Sequence, residues 1–122
     1  MAETPQDELV DAQYAGEKKA LRPLYERLRE ELESLGDDVQ AEPRQTYVAF
    51  GRGRQFAMLQ PSTKDRVDVG LVLPGVEPND RLREAGSFGS GGITHRVGLK
   101  SEQAIDDDLR AWLLQAYAGV ER

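Results

Sequence analysis

The chain contains no cysteine. That excludes disulfides, thiolate nucleophiles and thiolate-bound metals together, and it fits a reducing compartment. Only one histidine is present, His95. A serine triad is unsupported, because no nucleophile elbow accompanies that histidine. A metal site would need His95 joined by carboxylates from distant positions, and no HExxH-like spacing exists. No Glu-x-Lys follows a strand carboxylate, so a nuclease of that pattern is not visible. No run approaches the ~18 apolar residues of a membrane span. The N-terminus is acidic and carries no apolar block behind a basic stretch, so no signal peptide is expected. The expectation is a cytoplasmic protein without metal or cofactor.

What is present suits one soluble domain. At 122 residues, 39% hydrophobic and 31% charged, the chain is long enough for a single core without staples. The formal net charge is −6, so bulk attraction to nucleic acid is absent. The charge is uneven, however. Residues 1–42 hold twelve acids against five bases, and residues 101–122 hold five against two. Residues 43–100 reverse the sign, with nine bases against five acids. A local basic face can therefore form inside an acidic protein.

Residues 1–16 read as a lead-in helix or tail, with Thr4 as N-cap, Pro5 in the first turn and Gly16 as the stop. Residues 17–122 read as a single α+β domain. Leu21, Leu24, Leu28, Leu32 and Leu35 recur at helical spacing, with Pro23 near the start and Gly36 at the end. Asp37 to Pro43 reads as a polar loop. Three strands follow. The first runs from Thr46 to Phe50, and Gly51-Arg52-Gly53-Arg54 forms a hairpin turn. In the second, Phe56 and Met58 alternate against Ala57 and Leu59 until Pro61 ends it. In the third, Val67, Val69, Leu71 and Leu73 alternate with Asp68, Gly70 and Val72. Asn79 to Ala85 suggests a short helix. A glycine-rich loop, Gly86 to Gly92, leads into a fourth strand, with Ile93, His95, Val97 and Leu99 on one side. Ser101 is positioned to cap a last helix, whose stripe is Ile105, Leu109, Trp112, Leu113, Ala116 and Tyr117. The architecture expected is a two-layer sandwich: an antiparallel sheet of about four strands, a meander plus one, covered by the N- and C-terminal amphipathic helices.

Three constellations bear on function. Arg44, Arg52, Arg54, Lys64 and Arg66 crowd the meander, and arginine forks suit phosphate or carboxylate. Successive turns lie at opposite ends of a meander, so Arg52 and Arg54 should separate from Arg44, Lys64 and Arg66. Solubility and edge protection are the more ordinary explanation of such charges. The second constellation is Gly89, Ser90 and Gly91 with Thr94, His95 and Arg96. Consecutive glycines let backbone N–H groups converge on an anion, and His95 is the one available acid or base. His95 also shares parity with Ile93, Val97 and Leu99, as a core histidine would. The third is Asp68, which is placed to pair with Arg66, Arg96 or a ligand.

The order of motifs resembles a bacterial family, domain of unknown function 5655, some of whose members carry the label "predicted transport protein". The resemblance rests on Leu21-Arg22-Pro23-Leu24-Tyr25, Thr46 to Phe50, Arg52 to Ala57, Thr63 to Leu71, Gly86 to Gly91 and Thr94 to Val97. It covers about residues 14 to 118 and implies a standalone protein or a module attached to other domains, in some cases nuclease-like ones. It supplies no catalytic residue. Membrane transport is at odds with the lack of a span.

The reading that follows is a non-catalytic binding module for an anionic ligand or partner: phosphate, nucleotide or nucleic acid. Its binding residues would be drawn from Tyr47, Arg52, Arg54, Lys64, Gly89, Ser90, Gly91, Thr94, His95 and Arg96. One alternative is an enzyme on a small anionic substrate using His95 and the glycine loop. The other is an assembly protein whose lead-in helix pairs chains or docks a protein partner. The expected place for a site is where one end of the meander meets Gly86–Arg96.

Overall fold

The leucine stripe forms a helix, as its spacing requires, and the alternating runs form strands. The structure, a computed structural model, describes residues 5–86 and 92–120. Helix α1 spans Pro5–Gln13, and Gly16 then adopts a φ of +60°. A 3-10 segment, Gly16–Leu21, leads into α2, Arg22–Glu33, with proline in its first turn. Helix α3 spans Asp107–Ala118. Its cap is Asp106, whose carboxylate accepts from the Leu109 N–H at 3.0 Å. Ser101 instead precedes a separate 3-10 turn, Glu102–Ala104.

The sheet has six strands, not about four. They are β1 Gln40–Pro43, β2 Val48–Gly51, β3 Gln55–Thr63, β4 Arg66–Leu71, β5 Arg83–Glu84 and β6 His95–Leu99. The spatial order is β1-β2-β3-β4-β6-β5, antiparallel throughout. The two additional strands are the edges, and the reason they were not apparent is the same for both. An edge strand needs pairing on one side only, so it shows no apolar alternation. Gln40–Pro43 alternates only between exposed and half-buried, and its proline is tolerated at an edge. Arg83–Glu84 is fully polar. The Asn79 carbonyl oxygen of the side chain accepts from the N–H groups of Arg81 and Leu82, as a helix cap would. The chain then extends, because Arg83 and Glu84 pair with Arg96 and His95.

Two irregularities in β3 shape the layers. Pro61 does not end the strand: it pairs with Val67, and β2 pairs no further along β3 than Leu59. The proline nitrogen therefore interrupts no second ladder. At the other end a bulge sets Gly51 against Gln55 and Phe50 against Ala57. Phe56 consequently joins Ala57 and Leu59 in the core instead of alternating against them. It meets Tyr117 edge-on at 5.7 Å.

One face of the sheet carries the core. Val48, Phe50, Leu59, Val67, Val69, Leu71, Val97 and Leu99 are buried there with Val10 and Tyr14 of the α1 region, Leu24, Leu28 and Leu32 of α2, and Leu109 and Leu113 of α3. Gln13 locks α1 to the sheet: its side-chain N–H groups donate to the carbonyls of Arg44 (2.7 Å) and Tyr47 (3.0 Å). The opposite face is read across the ladder as one row: Glu42, Ala49, Met58, Gly70, Arg96 and Arg83. Ala49 and Met58 are buried but stand outside the helix-side cluster.

Candidate anion site on the second face of the sheet

The row ends in two arginines set directly opposite each other. Arg83 on β5 pairs with Arg96 on β6, so their Cα atoms lie about 4.5–5.5 Å apart. Beside them, the row Gln60, Asp68 and Gly98 crosses β3, β4 and β6. Asp68 is 3% exposed. Arg66 lies along it, with Nε 3.1 Å from Oδ1 and Nη2 donating to Oδ2 at 3.3 Å. Gly98 makes room for that pair: a Cβ there would fall 2.8 Å from the Arg66 Cδ and 3.1 Å from the Asp68 carboxylate. Asp68 thus takes the ion pair with Arg66 that its parity allowed. Arg66, Arg83 and Arg96 line a cavity of about 430 Å³ with Asp68, Asp80 and Arg81.

Arg81 is a brace and not a free cation. Its Nη1 donates to both oxygens of Asp106 at 2.9 and 2.7 Å, and Nη2 donates to the Ala104 carbonyl. Its guanidinium lies 5.6 Å from the Trp112 ring centre. The Leu109 N–H and then this arginine hold the Asp106 carboxyl below the usual carboxylate range. With Arg81 and Asp106 neutralising each other, three arginines face two aspartates in the cavity. The cavity is therefore slightly positive inside a protein of charge −6.

Among the described residues, the predicted site residues stand apart from one another. Arg52 turns toward the helices: it pairs with Asp38 at 3.2 Å and donates to the Tyr117 carbonyl at 3.2 Å. Its guanidinium sits 4.0 Å above the Tyr117 ring. Gly53, at φ +89°, closes the turn that aims it. Arg54 is exposed on the same turn, and lines a smaller cavity of about 270 Å³ with Gln40, Glu42 and Arg44. Lys64 is exposed at the opposite end of the sheet. Tyr47 is half-buried, and its carbonyl holds Gln13. Gly89, Ser90 and Gly91 lie outside the described residues.

His95 faces the core side, away from Arg96. His95 is 4% exposed, opposite Leu71 on the core side. Its Nε2 lies 2.9 Å from the Val76 carbonyl. A carbonyl only accepts, so Nε2 carries a proton. Its Nδ1 lies 2.6 Å from the Thr94 hydroxyl. That hydroxyl also accepts from the Leu73 N–H at 2.8 Å. Both ring nitrogens are therefore engaged in holding the Leu73–Val76 turn against β6.

A family model described as Domain of unknown function (DUF5655) matches residues 10–118. The chain belongs to the DUF5655 family. No curated protein and no solved structure matches it. Within this DUF5655 domain, no helix among the described residues is long and apolar enough to cross a membrane. No cluster of three or more His, Asp or Glu side chains among those residues is placed to hold a metal. Of the cavity residues, Arg96 was in the predicted set. Arg83 and Asp80 were missed because they stood in a segment read as helix, where their parity relative to β6 has no meaning. Arg66 was assigned to a strand end, and Gly98, two residues beyond Arg96, was the available signal that it lies across β6.

Proposed function

We propose that this DUF5655 domain is a non-catalytic recognition module that holds an anionic group at Arg83 and Arg96, with Arg66 as the third contact. One observation carries the reading: two arginines are directly opposed across β5 and β6. Like charges directly opposite in a ladder are destabilising, and a bound oxyanion reverses the sign of that interaction. Paired guanidinium forks offer the planar, two-pronged donors that phosphate and carboxylate groups accept. Arg66 is half-exposed and uses only one edge on Asp68, so further N–H groups remain for a ligand.

The test is calorimetric titration of inorganic phosphate into the full chain at low salt, beside Arg83→Ala and Arg96→Ala. Binding that falls at least about tenfold in either variant, a loss of about 1.4 kcal/mol, is the expected result. Binding indifferent to both substitutions, or none at all, removes the proposal.

A further inference from the structure

We infer that the ligand class of this site is a compact phosphorylated polyol, such as a sugar monophosphate, and not a nucleotide or polynucleotide. The inference rests on the anion reading above and extends it. A second cavity of about 500 Å³ adjoins the first, and the two share Asp80, Arg83 and Arg96. Its remaining walls include Asn79, Glu84 and Pro78.

The polar groups there differ from those at the arginines. Asp80 and Glu84 are exposed carboxylates, which accept hydrogen bonds. The Asn79 side-chain oxygen is occupied by the N–H groups of Arg81 and Leu82. Its amide NH₂ is therefore the group it can offer, a donor. A ligand spanning both cavities meets cationic donors at one end and acceptors with a neutral donor at the other. A phosphate followed by adjacent hydroxyls has that sequence of groups, since each hydroxyl both donates and accepts.

Among the described residues a nucleobase finds no counterpart. The described residues lining both cavities include no aromatic and no large aliphatic side chain. Base recognition leans on stacking against such faces. A polynucleotide has a further obstacle. It needs a run of cations along its backbone, and here three arginines are bounded by Asp68, Asp80 and Glu84.

The experiment titrates the full chain at low salt with inorganic phosphate, glucose 6-phosphate, adenosine monophosphate and a thymidine oligonucleotide. Wild type, Arg83→Ala and the double variant Asp80→Ala/Glu84→Ala are compared, each with a thermal melt to confirm folding. Glucose 6-phosphate is expected to bind at least about tenfold tighter than inorganic phosphate. That advantage should vanish in the double variant without loss of phosphate binding, and Arg83→Ala should weaken both ligands. Equal affinity for the two, or tighter Arg83-dependent binding of the nucleotide or oligonucleotide, overturns this inference and leaves the anion reading standing. No binding of any anion overturns both.

Discussion

Replacing Arg52 by alanine should cost stability and leave anion binding intact. The side chain of Arg52 is 17% exposed and joins three parts of the molecule. It pairs with Asp38 in the loop after α2, donates to the last turn of α3, and stacks on Tyr117. A hydrogen bond to a charged group is worth about 1.5–3 kcal/mol, and a cation over an aromatic ring adds about 0.5–1 kcal/mol. Asp38 keeps the Tyr117 hydroxyl as a donor at 2.8 Å, which limits the damage. The expected loss is about 2–4 kcal/mol. For 122 residues, an unfolding entropy of about 2.1 cal/mol/K per residue gives roughly 0.26 kcal/mol/K. The midpoint should fall by roughly 8–15 °C. Circular dichroism melts measure that, and phosphate calorimetry on the same samples should show affinity unchanged. Arg52→Lys should be intermediate, because an ammonium lacks the flat fork that stacks and donates together. Arg83→Ala, on an exposed edge, should do the reverse: little change in the melt and a loss of binding. If Arg52→Ala abolishes anion binding while the midpoint holds, the sorting of arginines into braces and contacts is wrong.

Two further substitutions test the packing and the caps. Burial pushes the Tyr14 phenol well above its ordinary pKa, with nearby Tyr25 adding to the shift, and its buried hydroxyl has no partner among the described residues. Tyr14→Phe should therefore leave the melting midpoint unchanged or raise it by a few degrees, since a buried unsatisfied hydroxyl costs about 1–3 kcal/mol; a clear fall would mean that the hydroxyl is satisfied. Asp106 has a lowered pKa in the fold, so its contribution is present above the unfolded value, about 3.9, and is lost as pH falls through the folded one. Asp106→Asn keeps a capping oxygen but removes the charge, so the gap between wild-type and variant midpoints should close below about pH 4; a gap constant from pH 6 to pH 2.5 refutes the linkage.

The legible parts of the fold were those where burial on one face imposes a period. Val67, Val69 and Leu71 alternate because each second residue meets the helices, and Leu24, Leu28 and Leu32 recur because one side of α2 covers the sheet. Edges obey no such constraint. Gln40–Pro43 and Arg83–Glu84 are strands by virtue of backbone pairing with a neighbour, and their side chains record almost nothing of it. Asn79 was misleading for a physical reason. Its side chain satisfies the same two N–H groups whether the chain turns once or continues as a helix, and the decision lies farther along the chain, in the free edge at His95 and Arg96. The bulge at Gln55 and Phe56 likewise depends on the Gly51 register, which parity counted along β3 alone does not contain.

The cations show the same division between what a segment knows and what the sheet decides. Strand parity separates Arg96 from His95, which sends one to the second face and the other into the core. It does not say which arginine will stand opposite Arg96, because that depends on a two-residue edge strand. Turn geometry placed Arg52 at a strand end, where an exposed anion site is chemically reasonable. What redirected it is the aromatic face of Tyr117 and the Asp38 carboxylate, both more than ten residues away in sequence. A guanidinium that finds a ring, a carboxylate and a helix-end carbonyl together has its donors consumed by the protein. Arg83 and Arg96 instead meet another guanidinium-bearing residue directly across the ladder. The number of basic residues in the 43–100 stretch is therefore a poor guide to the site. The partner each cation meets separates Arg52 and Arg81, which hold the helices, from Arg83 and Arg96, which stand opposite each other at the sheet edge.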